Sequence, residues 1–199
     1  MDWVAHYDPW LVALSYLIAA LGSYVSLVLH PARVAAEEAP PSRIIPSAAA
    51  LGLGIWGMHF TGMAACHFDG MQVGYRWDLT AMSLVVAIAF TAIGFATLWL
   101  LPGAEGPLIA GIPMAAGILS MHFLGMMAIT GDLYFRYRSD LVLAAGAIAL
   151  FASIAALSLS MIPSKRVGKV CSALVMAIAI CGMHYTGMAA AVMVVTGAR

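Results

Sequence analysis

Three histidines of this sequence stand in copies of one short pattern, Met-His, any two residues, then Gly-Met. The copies are centred on His59, His122 and His184, which are 63 and then 62 residues apart. On a helix that turns by ~100° per residue, the imidazole, the glycine three residues later and the methionine four residues later share one side. Imidazole and thioether groups suit copper, especially Cu(I). Three equivalent helices would therefore bring three imidazoles to one depth, and the pattern predicts a metal site there.

The candidate metal ligands divide by their position in the pattern. The histidines are followed on the adjacent turn by Met63, Met126 and Met188. Nearer the edge of the same face lie Met58, Met121 and Met183. Cys66 and His67 occur only in the first copy, where they could complete a coordination sphere or guard its mouth. Magnesium and calcium prefer carboxylates, and zinc more often binds cysteine or carboxylate beside histidine, so these residues favour copper.

Each of these residue types also has a purely structural explanation. A methionine at helical spacing usually fills a gap in a core, and a lone buried histidine is more often hydrogen-bonded than metal-bound. Three copies of both, on one face and at one depth, favour the metal site. His6 is a weaker candidate in the first loop, and His30 is interpreted as a helix-end residue.

The elements that position this pattern must lie in a membrane. The sequence is 63% hydrophobic and 9% charged, with a mean hydropathy of +0.97, whereas soluble domains have about a quarter of their residues charged. A membrane span needs ~20 apolar residues and must satisfy its own backbone, which favours helices. The sequence predicts an all-α bundle, one domain over residues 1–199, with six spans at Trp10–Leu29, Ile45–Ala65, Leu79–Leu101, Leu108–Ile129, Leu141–Ile162 and Val170–Val195.

The spans form three repeated helical hairpins, at about residues 6–68, 75–130 and 137–195. A Tyr and an Asp precede the first helix of each: Tyr7 and Asp8, Tyr75 and Asp78, Tyr137 and Asp140. We expect each Asp to cap its helix and to face the positive end of the helix dipole. Small residues two before each histidine (Gly57, Ser120, Gly182) and the glycine three after it are expected to let helices approach closely. Sites in such proteins often form where repeats meet.

Charge predicts the orientation. One side of the membrane would carry Arg33, Arg43, Lys165, Arg166 and Lys169, and the other Arg76, Arg136, Arg138 and Arg199. The first side carries five Lys and Arg residues and the second carries four. By the positive-inside rule, the first side is the inner one, and the N-terminus and the histidine pattern lie on the outer side. The net charge is zero and no basic run is present, so nucleic-acid binding is not expected. No nucleophile with a base, phosphate-binding loop or carboxylate pair is evident, so we expect no catalysis by this chain alone.

At the histidine pattern the sequence resembles the MHYT family of bacterial membrane sensor domains. The tetrapeptide that names the family is intact at Met183–Thr186, and Met58–Thr61 and Met121–Leu124 are near-copies. Phe replaces Tyr in both near-copies, and Leu replaces Thr in the second. The resemblance covers practically the whole chain, including the flanks Ile55–Ala65, Gly117–Ala128 and Ser172–Ala191.

The resemblance implies a copper-containing sensor of a diatomic gas (oxygen, carbon monoxide or nitric oxide) in the bacterial cytoplasmic membrane. Members of the family often continue into cytoplasmic GGDEF and EAL modules, which make or degrade cyclic di-GMP. This sequence contains neither and ends after an outward helix. We interpret it as part of a longer chain, in which a cytoplasmic output domain would need one further span.

Two other functions are weighed against a sensor. Haem can use axial His or Met, so a haem- or copper-based electron-transfer or oxidase protein stays open, although a two-haem bundle commonly stacks two histidines on one helix. A copper or proton conduit would need polar groups through the full depth, and the inner halves of the histidine helices have no ionisable residue: Ala48–Ile55, Ile109–Ile118 and Ala173–Ile180. The sequence leaves open which gas is sensed, how many metal ions bind and whether a homodimer forms.

Overall fold

Six long helices make up most of the computed structural model, which describes residues 6–30, 40–67, 73–131, 133–162 and 165–195. The helices are α1 (Pro9–Leu29), α2 (Ile44–Ala64), α3 (Trp77–Leu100), α4 (Gly106–Met127), α5 (Ser139–Met161) and α6 (Arg166–Ala190). Each is long and apolar enough to cross a membrane, so the predicted six-span helical fold is confirmed. Arg33 and Arg199, used in the charge count, lie outside the described residues.

The helices close into a ring. Each packs against the next along the chain, and α6 packs against α1, while α2 also contacts α4 and α6 across the centre. The even-numbered helices carry the buried histidines, and the odd-numbered helices form much of the outer surface. Trp10 and Trp77 are 83% and 82% exposed at the starts of α1 and α3, where aromatic residues commonly sit at a membrane interface.

Three short antiparallel pairs of strands tie one end of the bundle, which we call the strand end. They are β1 (His6–Tyr7) with β2 (Cys66–His67), β3 (Gly74–Tyr75) with β4 (Ile129–Thr130), and β5 (Leu133–Tyr137) with β6 (Ala191–Val195). A backbone amide before each odd helix also donates to a carbonyl at the end of the following helix: Asp8 to Ala65, Arg76 to Ala128 and Arg138 to Ala190, at 2.9, 2.8 and 2.9 Å. Such carbonyls have no partner within their own helix.

The predicted end of the sixth helix at Val195 is wrong. The helix ends at Ala190, and the following residues form β6, which pairs with β5 in a segment expected to be a loop. Valine-rich segments fit a strand well because branched side chains pack on a pleated surface. The strand β5 satisfies their backbone groups, and the predicted connections Cys66–Asp78 and Thr130–Asp140 likewise contain strands.

The capping prediction is confirmed for Asp8 and wrong for Asp78 and Asp140. The Asp8 carboxylate accepts hydrogen bonds from the backbone amides of Trp10 and Leu11, at 2.8 and 3.3 Å. In the other two hairpins an arginine occupies the N-cap position, so the aspartate lies two residues further on, in the first turn. There it pairs with that arginine, with Nη2–Oδ2 distances of 2.7 Å for both pairs, Arg76–Asp78 and Arg138–Asp140.

At the opposite end, side chains of the described residues connect the helices. The Lys169 ammonium group donates to the carbonyl of Leu27 at 3.1 Å, which joins α6 to α1. His30 caps the C-terminus of α1, and its ring stacks on Phe95 of α3 with a centroid distance of 4.5 Å.

Candidate metal centre

The structure brings the three pattern histidines together at the centre of the bundle. His59 of α2, His122 of α4 and His184 of α6 are all fully buried. The Nδ1 atoms of His59 and His184 are 3.1 Å apart, and those of His184 and His122 are 3.3 Å apart. One ligand atom from each ring lies within 4.8 Å of the other two. We call these three residues the histidine cluster.

The glycine of each pattern accommodates an imidazole from another hairpin. A Cβ atom on Gly62 would lie 2.5 Å from His184 Nε2, and one on Gly187 would lie 2.5 Å from His122 Nε2. A Cβ on Gly125 would collide with His59 Nε2. The contacts therefore run in a cycle, because each hairpin inserts its histidine over the glycine of the next one around the ring.

This arrangement corrects the expected role of the small residues. The neighbour of each later glycine is an imidazole edge and not a helix backbone. Two residues before the histidine, a Cβ on Gly57 would lie 3.1 Å from Ile18 Cγ2, whereas no described atom outside its own segment lies within 4 Å of a Cβ on Gly182. A close helix approach occurs elsewhere, between Gly22 and Gly54.

The methionines form two groups around the histidine cluster. Those four residues after the histidines pack together with Cys66 toward the strand end, and each of the four is at most 8% exposed: Met63, Met126, Met188 and Cys66. Those directly before the histidines belong to the main core and are at most 1% exposed: Met58, Met121 and Met183. Thioether groups thus cover the cluster on the side of the strand end.

His67 and His6 are not brought into the cluster. Both lie in the paired strands β1 and β2 with exposed side chains, and His67 Nδ1 is 3.1 Å from the carbonyl oxygen of Ala65. Cys66 is buried in the same strand. Burial raises the pKa of the Cys66 thiol and of the Tyr7 hydroxyl.

Aromatic residues surround the cluster in a second repeated pattern, which the sequence analysis missed. The residue after each histidine packs edge-on against it, with centroid distances of 4.9, 5.1 and 4.8 Å for Phe60, Phe123 and Tyr185. Each of these rings also contacts a tyrosine from the start of the next hairpin around the ring, at 5.7, 5.2 and 5.7 Å: Tyr75, Tyr137 and Tyr7. The repeated Tyr before each hairpin was the available signal, but its partner lies in a different repeat.

Hydrogen bonding alone cannot satisfy the histidine cluster. A neutral imidazole nitrogen carries either one proton or one lone pair, so His184 Nδ1 can engage both neighbours only by sharing that one proton or lone pair between them. The Nε2 atoms of all three rings have no hydrogen-bond partner among the described residues. One ligand atom from each of the three rings lies within reach of a single cation, because these atoms are all within 4.8 Å of one another. Nitrogens bound ~2.0 Å from one ion at tetrahedral angles are ~3.3 Å apart, which two of the three Nδ1 pairs match, at 3.1 and 3.3 Å.

Comparison with known proteins agrees with this architecture. The family model described as "MHYT: Bacterial signalling protein N terminal repeat" matches residues 52–110 and 116–173. The bifunctional diguanylate cyclase/cyclic di-GMP phosphodiesterase MucR of Pseudomonas aeruginosa is 38% identical over 94% of this chain and 28% of its own length. The signaling protein YkoW of Bacillus subtilis is 34% identical over 93% and 24%, respectively. The cyclic di-GMP phosphodiesterase NbdA of Pseudomonas aeruginosa is 32% identical over 94% and 25%.

The chain spans about a quarter of the length of these relatives. No solved structure matches it. The two matched repeats include the histidine patterns of α2 and α4 and together cover more than half of the 199 residues. With its six apolar helices, this multi-pass membrane protein belongs to the MHYT family of bacterial signalling proteins.

Proposed function

We propose that this chain is a membrane sensory module that holds copper in the histidine cluster and responds to a diatomic gas. The observation that carries the proposal is the convergence of three buried histidines whose ligand atoms lie within 4.8 Å of one another, with two Nδ1 pairs at 3.1 and 3.3 Å. An ionisable group within the membrane is a functional candidate by default. Here three of them occupy equivalent places in three repeats.

The surroundings of the cluster favour Cu(I) over a divalent ion. The three histidine helices contain no Asp or Glu, so the ligands are neutral and the full charge of the ion is buried. The cost of burying an ion rises with the square of its charge and is high at low dielectric, which disfavours Zn²⁺. The thioethers of Met63, Met126 and Met188 beside the cluster suit a soft ion, and we propose them, with Met58, Met121, Met183 and Cys66, as further candidate ligands.

Copper held by three imidazoles would supply a centre that binds oxygen, carbon monoxide or nitric oxide. The protein contributes position and exclusion of water. Gly62, Gly125 and Gly187 hold the rings in place by leaving room only for a flat imidazole edge. The buried thioether layer separates the cluster from the water beyond the strand end, while apolar gases reach it from the lipid.

The signal would pass through the contacts between hairpins. A shift of one imidazole moves the aromatic ring beside it and the tyrosine of the next hairpin, as in the series His59, Phe60, Tyr75. The extent to which gas binding can move the hairpins from one arrangement to another is limited by the difference in gas affinity between the two arrangements. We propose three hairpin units at residues 6–68, 75–130 and 137–195, an N-terminus on the outer face of the cytoplasmic membrane, and an output domain that acts on cyclic di-GMP, as the names of two relatives suggest.

Metal analysis of the purified protein tests the proposal. We expect copper in the wild type and its loss in His122→Gln, because Gln removes one of the three imidazoles. His67→Gln is the matched control, since it makes the same change at an exposed histidine outside the cluster. Absence of copper from the wild type after growth with added copper, or equal copper in His122→Gln, would contradict the proposal.

The geometry does not favour the haem alternative. Axial ligands of a haem stand on opposite faces of the porphyrin, yet the three imidazoles contact one another directly and their other edges lie against glycines. No slot for a macrocycle separates them. An absorption spectrum with a Soret band in the purified protein would reverse this conclusion.

A further inference from the structure

A small cavity lies beside the histidine cluster, on the side away from the strand end. Its volume is ≈ 20 Å³, and ~10–15 Å³ measured in this way is enough for one water-sized molecule. Ile55, Ile118 and Ile180 line it, one from each histidine helix and each four residues before its histidine. The nearest lining residues are therefore about one helical turn, ~5.4 Å, from the cluster.

The cavity breaks the threefold repetition, because α5 is the one odd-numbered helix among those described that lines it, through Ala152, Ser153 and Ala156. Ala152 follows Tyr137 by the same number of residues as Gly22 follows Tyr7 and Phe90 follows Tyr75, so these three positions are equivalent in the repeats. Gly22 lies in backbone contact with Gly54, and Phe90 packs over a glycine of α4. The third hairpin has neither the close approach nor the large ring, so space remains there.

One buried polar atom faces this space. Ser153 is 1% exposed, lines the cavity, and its hydroxyl has no hydrogen-bond partner among the described residues. A buried water needs two to four polar partners, and a single hydroxyl among apolar side chains cannot supply them. Apolar cavities in proteins stay dry and bind apolar guests. The site thus suits a molecule of diatomic size that is apolar and accepts at most one weak hydrogen bond.

We propose that this cavity is a docking site for one diatomic gas molecule. A gas molecule enters from the lipid beside α5, rests against Ser153 and lies between about one and two helical turns from the histidine cluster. The inference rests on the proposed function for its purpose, since the cluster is where the gas would be used. Binding itself needs only the cavity, so it occurs in metal-free protein as well.

Dissolved oxygen is a suitable probe because it is paramagnetic and speeds the relaxation of nearby methyl groups. Metal-free protein with labelled methionine methyls would be measured in lipid nanodiscs with and without oxygen. Met114 and Met176 line the cavity and are 1% and 5% exposed, whereas Met121 is 0% exposed and does not line it. We expect a severalfold larger effect of oxygen on Met114 and Met176 than on Met121. Equal effects on all three would overturn the inference.

A pair of serine variants sharpens the test. Ser153→Leu fills the cavity and should reduce the effect on Met114 and Met176 to that of Met121. Ser158→Leu makes the same change on the same helix at a residue that does not line the cavity, and should leave the effect intact. If the Ser153 variant does not fold, the comparison of Met114 and Met176 with Met121 in the wild type still tests whether oxygen binds in the cavity. If oxygen affects Met114 and Met176 in this way but the protein binds no copper, the copper proposal is contradicted and the docking site in the cavity stands.

Discussion

Alanine at Gly62 should disturb the histidine cluster without removing any candidate ligand. The added Cβ would lie 2.5 Å from His184 Nε2 and 2.9 Å from its Cδ2. Unstrained contacts begin at ~3.5 Å, so the imidazole must retreat by about 1 Å. Ligand distances in metal sites are held to within ~0.2 Å, and loss of a positioning contact typically weakens metal binding ~10–100-fold. We expect a loss of that size, which corresponds to ~1.4–2.7 kcal/mol.

Competition of the protein with a Cu(I) chelator of known affinity measures this loss. Overpacking should also lower the free energy of unfolding by ~1–3 kcal/mol, offset in part by the better helix propensity of alanine. Gly182→Ala is the matched control, because it makes the same change on α6 where no described atom outside its own segment lies within 4 Å of the new Cβ. Copper affinity in Gly62→Ala equal to that of Gly182→Ala would refute the reasoning.

Three further predictions concern the parts around the cluster. Asp8→Ala removes a helix cap and should lower the free energy of unfolding by ~1 kcal/mol. Asp140→Ala loses an exposed ion pair and a first-turn acid but no cap, and should lower the free energy of unfolding by less; equal losses would contradict this. A double-mutant cycle of Ser15→Ala and Tyr185→Phe should give a coupling of ~0.5–1.5 kcal/mol for their 3.0 Å hydrogen bond, and additive effects would deny that bond a role. Burial lowers the pKa of His30 to about 4 from an ordinary ~6.5, so protonation favours unfolding. Stability from this group is complete above pH 6.5 and falls toward pH 4, and His30→Gln should show a smaller fall in thermal unfolding temperature over that range.

Local patterns predicted much of this fold. Apolar length located all six helices to within a few residues, because a membrane span must satisfy its own backbone. The spacing of His59, His122 and His184 indicated that they would meet, and the structure brings them together. The error at Val195 arose because a valine-rich run suits a strand as well as a helix, and the choice depended on a partner strand more than fifty residues away.

Contacts between repeats could not be predicted in this way. Periodicity showed that Gly62 and His184 share a pattern, but not which glycine faces which imidazole, since that depends on the direction in which the hairpins close the ring. Asp8 directly follows Tyr7, whereas Asp78 lies three residues after Tyr75 and so two residues further into its helix. The spacing between Tyr and Asp therefore already contained the difference in capping. The cavity beside Ser153 depends on the packing of α5, which no spacing rule describes.

The cycle of histidine over glycine means that no hairpin holds a complete site. Each hairpin places its imidazole over a glycine of one neighbour and receives an imidazole over its own glycine from the other. Three identical separate hairpins could therefore assemble the same pocket only as a symmetric trimer. Joining the three in one polypeptide fixes their stoichiometry and frees each copy to change independently. In a strictly symmetric trimer, the contact of Tyr185 with Ser15 and the space beside Ala152 would occur in all three copies or in none.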